Sequence, residues 1–180
     1  MVNKDMKELK QQIVNGTLAK SGIFDKKTIS LAAALLQRLN DNNIETVRVV
    51  FADQNGILRG KTIVADALIS IFTDGLSVPA TLLLKDTSHR TVFPIWTSTP
   101  GVNGFEPGAG DILMLPDPET FRILPWSPHT AWIFCNPRFK SGETISFSPR
   151  DLLKSAIEKL AEQGLESVSY THLTLPTSYA

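Results

Sequence analysis

The stretch from Thr46 to Val64 constrains this chain more than any other. Two runs rich in β-branched residues, Thr46–Ala52 and Ile57–Val64, flank Asp53-Gln54-Asn55-Gly56. An Asn-Gly step between such runs marks a hairpin, because the turn needs a positive φ that glycine adopts without steric cost. Along the first strand, Val47, Val49 and Phe51 share one face, and Thr46, Arg48 and Val50 share the other.

Helices able to cover a sheet are also readable. Asp25 can cap a helix running to about Asn40, whose apolar set Ile29, Ala32, Ala33, Leu36 and Leu39 forms a stripe wide enough to pack on strands. The polar run Asn40–Asn43 ends it. Met6, Leu9 and Ile13 have helical spacing within residues 3–14, with Gly16 just beyond, which predicts a short surface helix. Asp66–Phe72 reads as another short helix, closed by Gly75, and Ala80–Leu84 as an apolar strand. From Lys85 to Gly110 the pattern is lost, and Pro94, Pro100 and Pro107 interrupt a segment too long for a plain connector. Asp111–Leu115, a Pro116–Glu119 turn, Phe121–Leu124 and Thr130–Cys135 read as antiparallel strands. Ser148 can cap a last helix, with Pro149 at its first position and Asp151 in the place of a capping-box acid. Its apolar face is Leu152, Leu153, Ala156, Ile157 and Leu160, and Gly164 supplies the stop. The expected class is α+β, a small mixed sheet with packed helices.

Composition matters here for what it excludes. The 180 residues suffice for one ordinary domain, and Lys plus Arg (18) equals Asp plus Glu (18). A neutral balance offers no general field for nucleic acid or an acidic membrane. Met1-Val2-Asn3-Lys4 does not begin a signal peptide, and no apolar run approaches a membrane span. The single cysteine, Cys135, excludes an internal disulfide and a cysteine-based zinc site. A cytoplasmic location is expected.

Three stretches resemble the glutamine synthetase family. Val47-Arg48-Val49-Val50-Phe51-Ala52-Asp53-Gln54-Asn55-Gly56-Ile57-Leu58-Arg59-Gly60-Lys61 looks like the opening hairpin of its N-terminal β-grasp domain. Gly110 to Trp126 is similar to the family's succession of aspartate, apolar run, Pro-Asp, Thr-x-Arg and Pro-Trp. Ser148–Lys154 with Gly164-Leu165-Glu166 is like the helix that leads into the catalytic domain. The order and spacing, over about Glu45 to Glu166, make the resemblance specific. It implies a variable helical extension (1–43), a β-grasp-like domain (44–147), a leading helix (148–167) and truncation before the catalytic domain. From Val168 to Ala180 the sequence departs abruptly and resembles a translated sequencing adapter, so this tail is read as an artefact.

The resemblance implies a chemistry. A carboxylate is a poor acyl electrophile, and an ATP-dependent ligase activates it by phosphorylation, here to γ-glutamyl phosphate, before ammonia or an amine attacks. Metal ions neutralise the phosphates. In the family the ATP and Mg2+ or Mn2+ ligands come from the catalytic domain, and the acids Glu106, Asp117, Glu119 and Glu143 show no ligand spacing here. No cofactor or metal is therefore expected on this segment, which alone should be inactive. The family's loop after the third strand closes the active site of a neighbouring subunit in a head-to-tail ring, and an aspartate there helps bind ammonium. Asp86, in Lys85-Asp86-Thr87-Ser88-His89, occupies the matching place, and Trp96 can line the entrance. Bacterial glutamine synthetases read nearer Asp-Gly-Ser-Ser, and the departure leans towards relatives that join glutamate to other amines, such as γ-glutamyl-polyamine synthetases.

Plainer readings stand beside these. Asp86 can be a loop acid forming a turn, His89 and His129 loop histidines, and Cys135 a buried inert thiol. Arg59 and Lys61 could bind an anion but read as a solvated strand face, and Trp126 and Trp132 as core or interface packing rather than a ligand platform. The rivals to a glutamate–ammonia ligase are an amine-specific ligase, a non-catalytic β-grasp interaction module and a catalytically dead relative that only assembles with true synthetases.

Overall fold

A computed structural model describes residues 5–94, 96 and 110–168. The hairpin is present. Strands β1 (Thr46–Ala52) and β2 (Leu58–Val64) pair antiparallel from Thr46 opposite Val64 to Ala52 opposite Leu58. Gly56 takes φ 77° in the turn. Gly60 is needed for closeness instead, since a Cβ there would lie 1.9 Å from the Val49 carbonyl oxygen.

Four further strands complete a six-stranded sheet: β3 (Leu76–Pro79), β4 (Asp111–Pro116), β5 (Arg122–Leu124) and β6 (Ser127–Arg138). The order is β2-β1-β6-β4-β3, with β5 also on β6. β6 runs parallel to β1, from Thr46 opposite Thr130 to Val50 opposite Phe134, and antiparallel to β4 and β5. A hairpin whose first strand pairs in parallel with the last gives the mixed, β-grasp-like sheet.

Helices α1 (Met6–Val14), α2 (Thr17–Lys20), α3 (Lys26–Asp41) and α4 (Leu68–Asp74) share one core with the sheet. Asp5 and Asp25 cap α1 and α3 by accepting the Glu8 and Thr28 amides at 2.8 and 2.7 Å. The core joins Ile13, Ala32, Leu36 and Leu39 of the helices to Val47, Val49 and Phe51 of β1 and Ala131 and Ile133 of β6. The first 43 residues thus contribute directly to the core.

Two expectations change. The apolar run Ala80–Leu84 is a 3₁₀ helix and the third strand precedes it. The buried positions Ala80, Leu83 and Leu84 follow helical rather than alternating spacing, which composition alone does not reveal. The Ser148 side chain makes no cap hydrogen bond to the last helix, α5 (Pro149–Glu162). Asp151 is taken instead by Arg138 of β6, in two hydrogen bonds of 2.6 and 2.9 Å. Arg150 returns to Asp117 at 2.6 Å and to Asn136 at 3.0 Å. These contacts fasten the first turn of α5, yet no residue of the helix is buried. Beside it the outer sheet face carries Trp126, Trp132 and Phe134 in successive edge contacts of 6.2 and 5.8 Å between centroids. Of the tail read as an adapter, all but Val168 lies outside the described residues.

Candidate functional site: the Asp86 loop on the hairpin turn

The strand period sets this site. Register places Arg59 opposite Phe51, so its side chain belongs to the face that carries Val47, Val49 and Phe51. Arg59 is buried, not part of a solvated face, and Asp53 beside it is fully buried. Asp53 accepts Arg59 Nε at 2.5 Å through Oδ2, and the Asn55 and Ile57 amides at 2.9 Å through Oδ1. Burial opposes the Asp53 charge, but the hydrogen bonds from Arg59 and the two amides outweigh it and hold the carboxyl below its ordinary range.

The remaining guanidinium nitrogens reach the loop that follows β3. Arg59 Nη2 donates to the Asp86 carbonyl at 3.2 Å, and Nη1 lies 2.9 Å from His89 Nδ1. Arginine can only donate, so Nδ1 accepts and the imidazole carries its proton on Nε2. Two turn side chains act alike: Gln54 donates to the Leu83 carbonyl at 3.2 Å and Asn55 to the Lys85 carbonyl at 3.1 Å.

The loop itself is tight. The Asp86 amide donates to the Arg90 carbonyl at 2.9 Å and the Val92 amide to the Leu84 carbonyl at 3.1 Å. Asp86 Oδ1 accepts the Ser88 and Arg90 amides, both at 2.8 Å, while Oδ2 has no partner among the described residues. His89 takes φ 63°, uncommon for a residue with a Cβ. Asp86 therefore forms the turn expected of a loop acid, with Oδ1 satisfied by that turn and Oδ2 unpartnered among the described residues. Trp96 is 79% exposed. Residue 95 and residues 97–109, including Glu106, lie outside the described residues, so the rest of the Lys85–Gly110 segment is not placed against Asp86.

Other candidates resolve simply. Burial pushes the Cys135 thiol far up, which fits an inert core residue. His129 Nδ1 meets the Asn43 carbonyl at 3.2 Å. Glu119 pairs with Lys27, and Asp117 with Arg150. Among the described residues no group of three or more His, Cys, Asp or Glu side chains is placed to hold a metal ion, and no helix is long and apolar enough to cross a membrane.

The chain is 30% identical over 151 residues to the γ-glutamylanilide synthase of an Acinetobacter species, a match covering 82% of this chain and 30% of that protein. The glutamine synthetase of Pyrococcus abyssi is 31% identical over 121 residues, covering 67% of this chain and 23% of the other. A solved structure described as a complex of GmaS with ADP superposes with a TM-score of 0.53 at 25% identity, covering 72% of this chain and 26% of that one. The chain belongs to the glutamine synthetase family.

No family model matches it. It spans between about a quarter and a third of the length of these glutamine synthetase relatives. Each stretch that resembles the family is a structural unit: the first is the hairpin, the second is β4, the 3₁₀ turn Pro118–Thr120 and β5, and the third opens α5. Arg59, taken from the sequence for part of a solvated face, and Asp53, taken for a turn residue, form a buried pair that sequence reasoning misses. The signal was available, because the Asn-Gly turn fixes a register that turns Arg59 to the core side.

Proposed function

We propose that this chain is the acceptor-side portion of an ATP-dependent ligase that joins an amine to the γ-carboxyl of glutamate. The single observation carrying this reading is Asp86: an ordered loop carboxylate with Oδ1 satisfied by its own turn and Oδ2 without a partner among the described residues. Such an oxygen can receive a cationic ammonium or primary amine. The acceptor must then lose a proton before its lone pair attacks the γ-glutamyl phosphate, forming the amide bond and releasing phosphate. ATP and a divalent metal would supply the activated carboxylate. Among the described residues no group of three or more His, Cys, Asp or Glu side chains is placed to hold that metal. Trp96, exposed on the same segment, would border the entrance.

An amine larger than ammonia is supported by two points. One relative is by name a γ-glutamylanilide synthase, and Asp86-Thr87-Ser88-His89 departs from the Asp-Gly-Ser-Ser pattern of bacterial glutamine synthetases. Ammonia, the smallest acceptor, is the outcome that would narrow the reading to glutamine synthesis. We further propose that the loop serves the catalytic domain of a neighbouring copy in a head-to-tail ring, and that α5 leads into the chain's own catalytic domain.

The test is a family-length protein carrying this segment, assayed with glutamate, ATP and a panel of ammonium, ethanolamine, putrescine and aniline. Asp86→Asn should raise KM for the preferred acceptor by about 10- to 100-fold, with KM for glutamate and ATP unchanged. An acceptor KM that does not move removes Asp86 from the site.

A further inference from the structure

We infer that the β1–β2 hairpin, through its turn and Arg59 at the start of β2, is the positioning element of the Asp86 loop. All three guanidinium nitrogens are used in different directions: Nε on buried Asp53, Nη1 on the His89 ring and Nη2 on the Asp86 carbonyl. With Gln54 and Asn55, the hairpin takes the carbonyls of Leu83, Lys85 and Asp86, the three residues that deliver the chain to the carboxylate. The loop is thus gripped at its entry and again at His89, and Thr87 and Ser88 span between the grips.

The choice of residue types argues for positioning rather than for bulk stability. A buried ion pair gains little over apolar side chains of similar size, because both charges must leave water. A guanidinium has a rigid planar fork and can hold three partners in fixed directions, which a lysine ammonium on a flexible stem cannot do. His89 sits at φ 63°, a conformation that persists where neighbouring contacts over-determine it. The Arg59 contact to its ring is such a contact. Asp86 Oδ1 is in turn held by the amides of Ser88 and Arg90, on either side of His89, so the carboxylate is held at the end of a chain of contacts that begins at Asp53.

The functional side of this inference rests on the role proposed for Asp86; the positioning itself does not. The experiment therefore has two readouts. The first is amide hydrogen exchange in the full 180-residue chain, read at Asp86, Arg90 and Val92 and, as a control for folding, in β1 and β6. Arg59→Lys, and Asp53→Asn combined with Arg59→Gln, should speed loop exchange by about tenfold or more while the sheet stays protected. The double variant leaves no unpaired buried charge and carries the test if Arg59→Lys does not fold. The second readout is the family-length ligase, in which Arg59→Lys should raise the acceptor KM by about 10- to 100-fold and leave the glutamate KM unchanged. Loop exchange unaltered in both variants overturns the inference. If Arg59→Lys frees the loop while Asp86→Asn leaves the acceptor KM unchanged, positioning stands and the proposed role of Asp86 falls.

Discussion

Asp53 in the hairpin turn and Arg59 in β2 show how a hairpin can store a buried charge pair. Removing one member of such a pair leaves the other uncompensated, at a cost of about 3–5 kcal/mol. The carboxyl of Asp53 is held below its ordinary range, by hydrogen bonds that overcome the opposing effect of burial. The sign follows: its contribution is complete above the unfolded value near pH ~4 and is lost as pH falls through the lower folded value. The urea midpoint of the wild-type chain should therefore drop more steeply below about pH 4 than that of Asp53→Asn, although the variant starts lower. Parallel acid slopes would show that Asp53 is not the coupled group. At this scale the sequence was only partly readable. The Asn-Gly turn could be located, but an arginine on a strand reads as solvated unless the register is followed to Phe51, and Asp53 reads as a turn former until its partner is known.

At the scale of elements, amphipathic spacing places α3 and the hairpin to within a residue or two of their observed ends, because in each the apolar face is also the buried face. Helix α1 starts only at Met6, which is half exposed, and buries Leu9 and Ile13. The same spacing misread Ala80–Leu84, where five residues, Ala-Thr-Leu-Leu-Leu, are too few to show a period. It also assigned Asp151 to a cap that is not formed, since the competing partner, Arg138, lies on β6 and is invisible locally. That competition makes α5 unusual. A helix of 14 residues with none buried is marginal in water, so its attachment falls to the Arg138–Asp151 and Arg150–Asp117 pairs of its first turn. Replacing Arg138 and Arg150 together by methionine should remove the α5 share of the far-UV helical signal, while the thermal midpoint of the core moves by only a few degrees, consistent with a loss of about 1–2 kcal/mol. Undiminished helicity would mean that α5 is held by contacts other than these pairs.

Across the whole molecule, one sheet face is closed and the other is not. Helices α1, α3 and α4 cover the face of Val47, Val49 and Ile133, whereas Trp126, Leu152, Leu153 and Ile157 remain 68, 53, 59 and 44% exposed. Apolar residues grouped in this way mark a surface built to be covered. Their covering can come from the catalytic domain proposed to follow α5 or from a partner of an interaction module, and the behaviour of the chain in solution separates these. If the stripe belongs inside a larger protein, the 180-residue chain should self-associate in sedimentation experiments, with little dependence on salt because the driving force is apolar. Leu153→Glu with Ile157→Glu, one turn apart on the same stripe, should return it to a monomer. The thermal midpoint should stay within a few degrees of wild type, since neither side chain is buried and surface changes fall within about 0.5 kcal/mol. A wild-type chain that is already monomeric, folded and soluble at high concentration would favour the self-sufficient module, and the role of α5 as the start of a second domain would lose its physical motive.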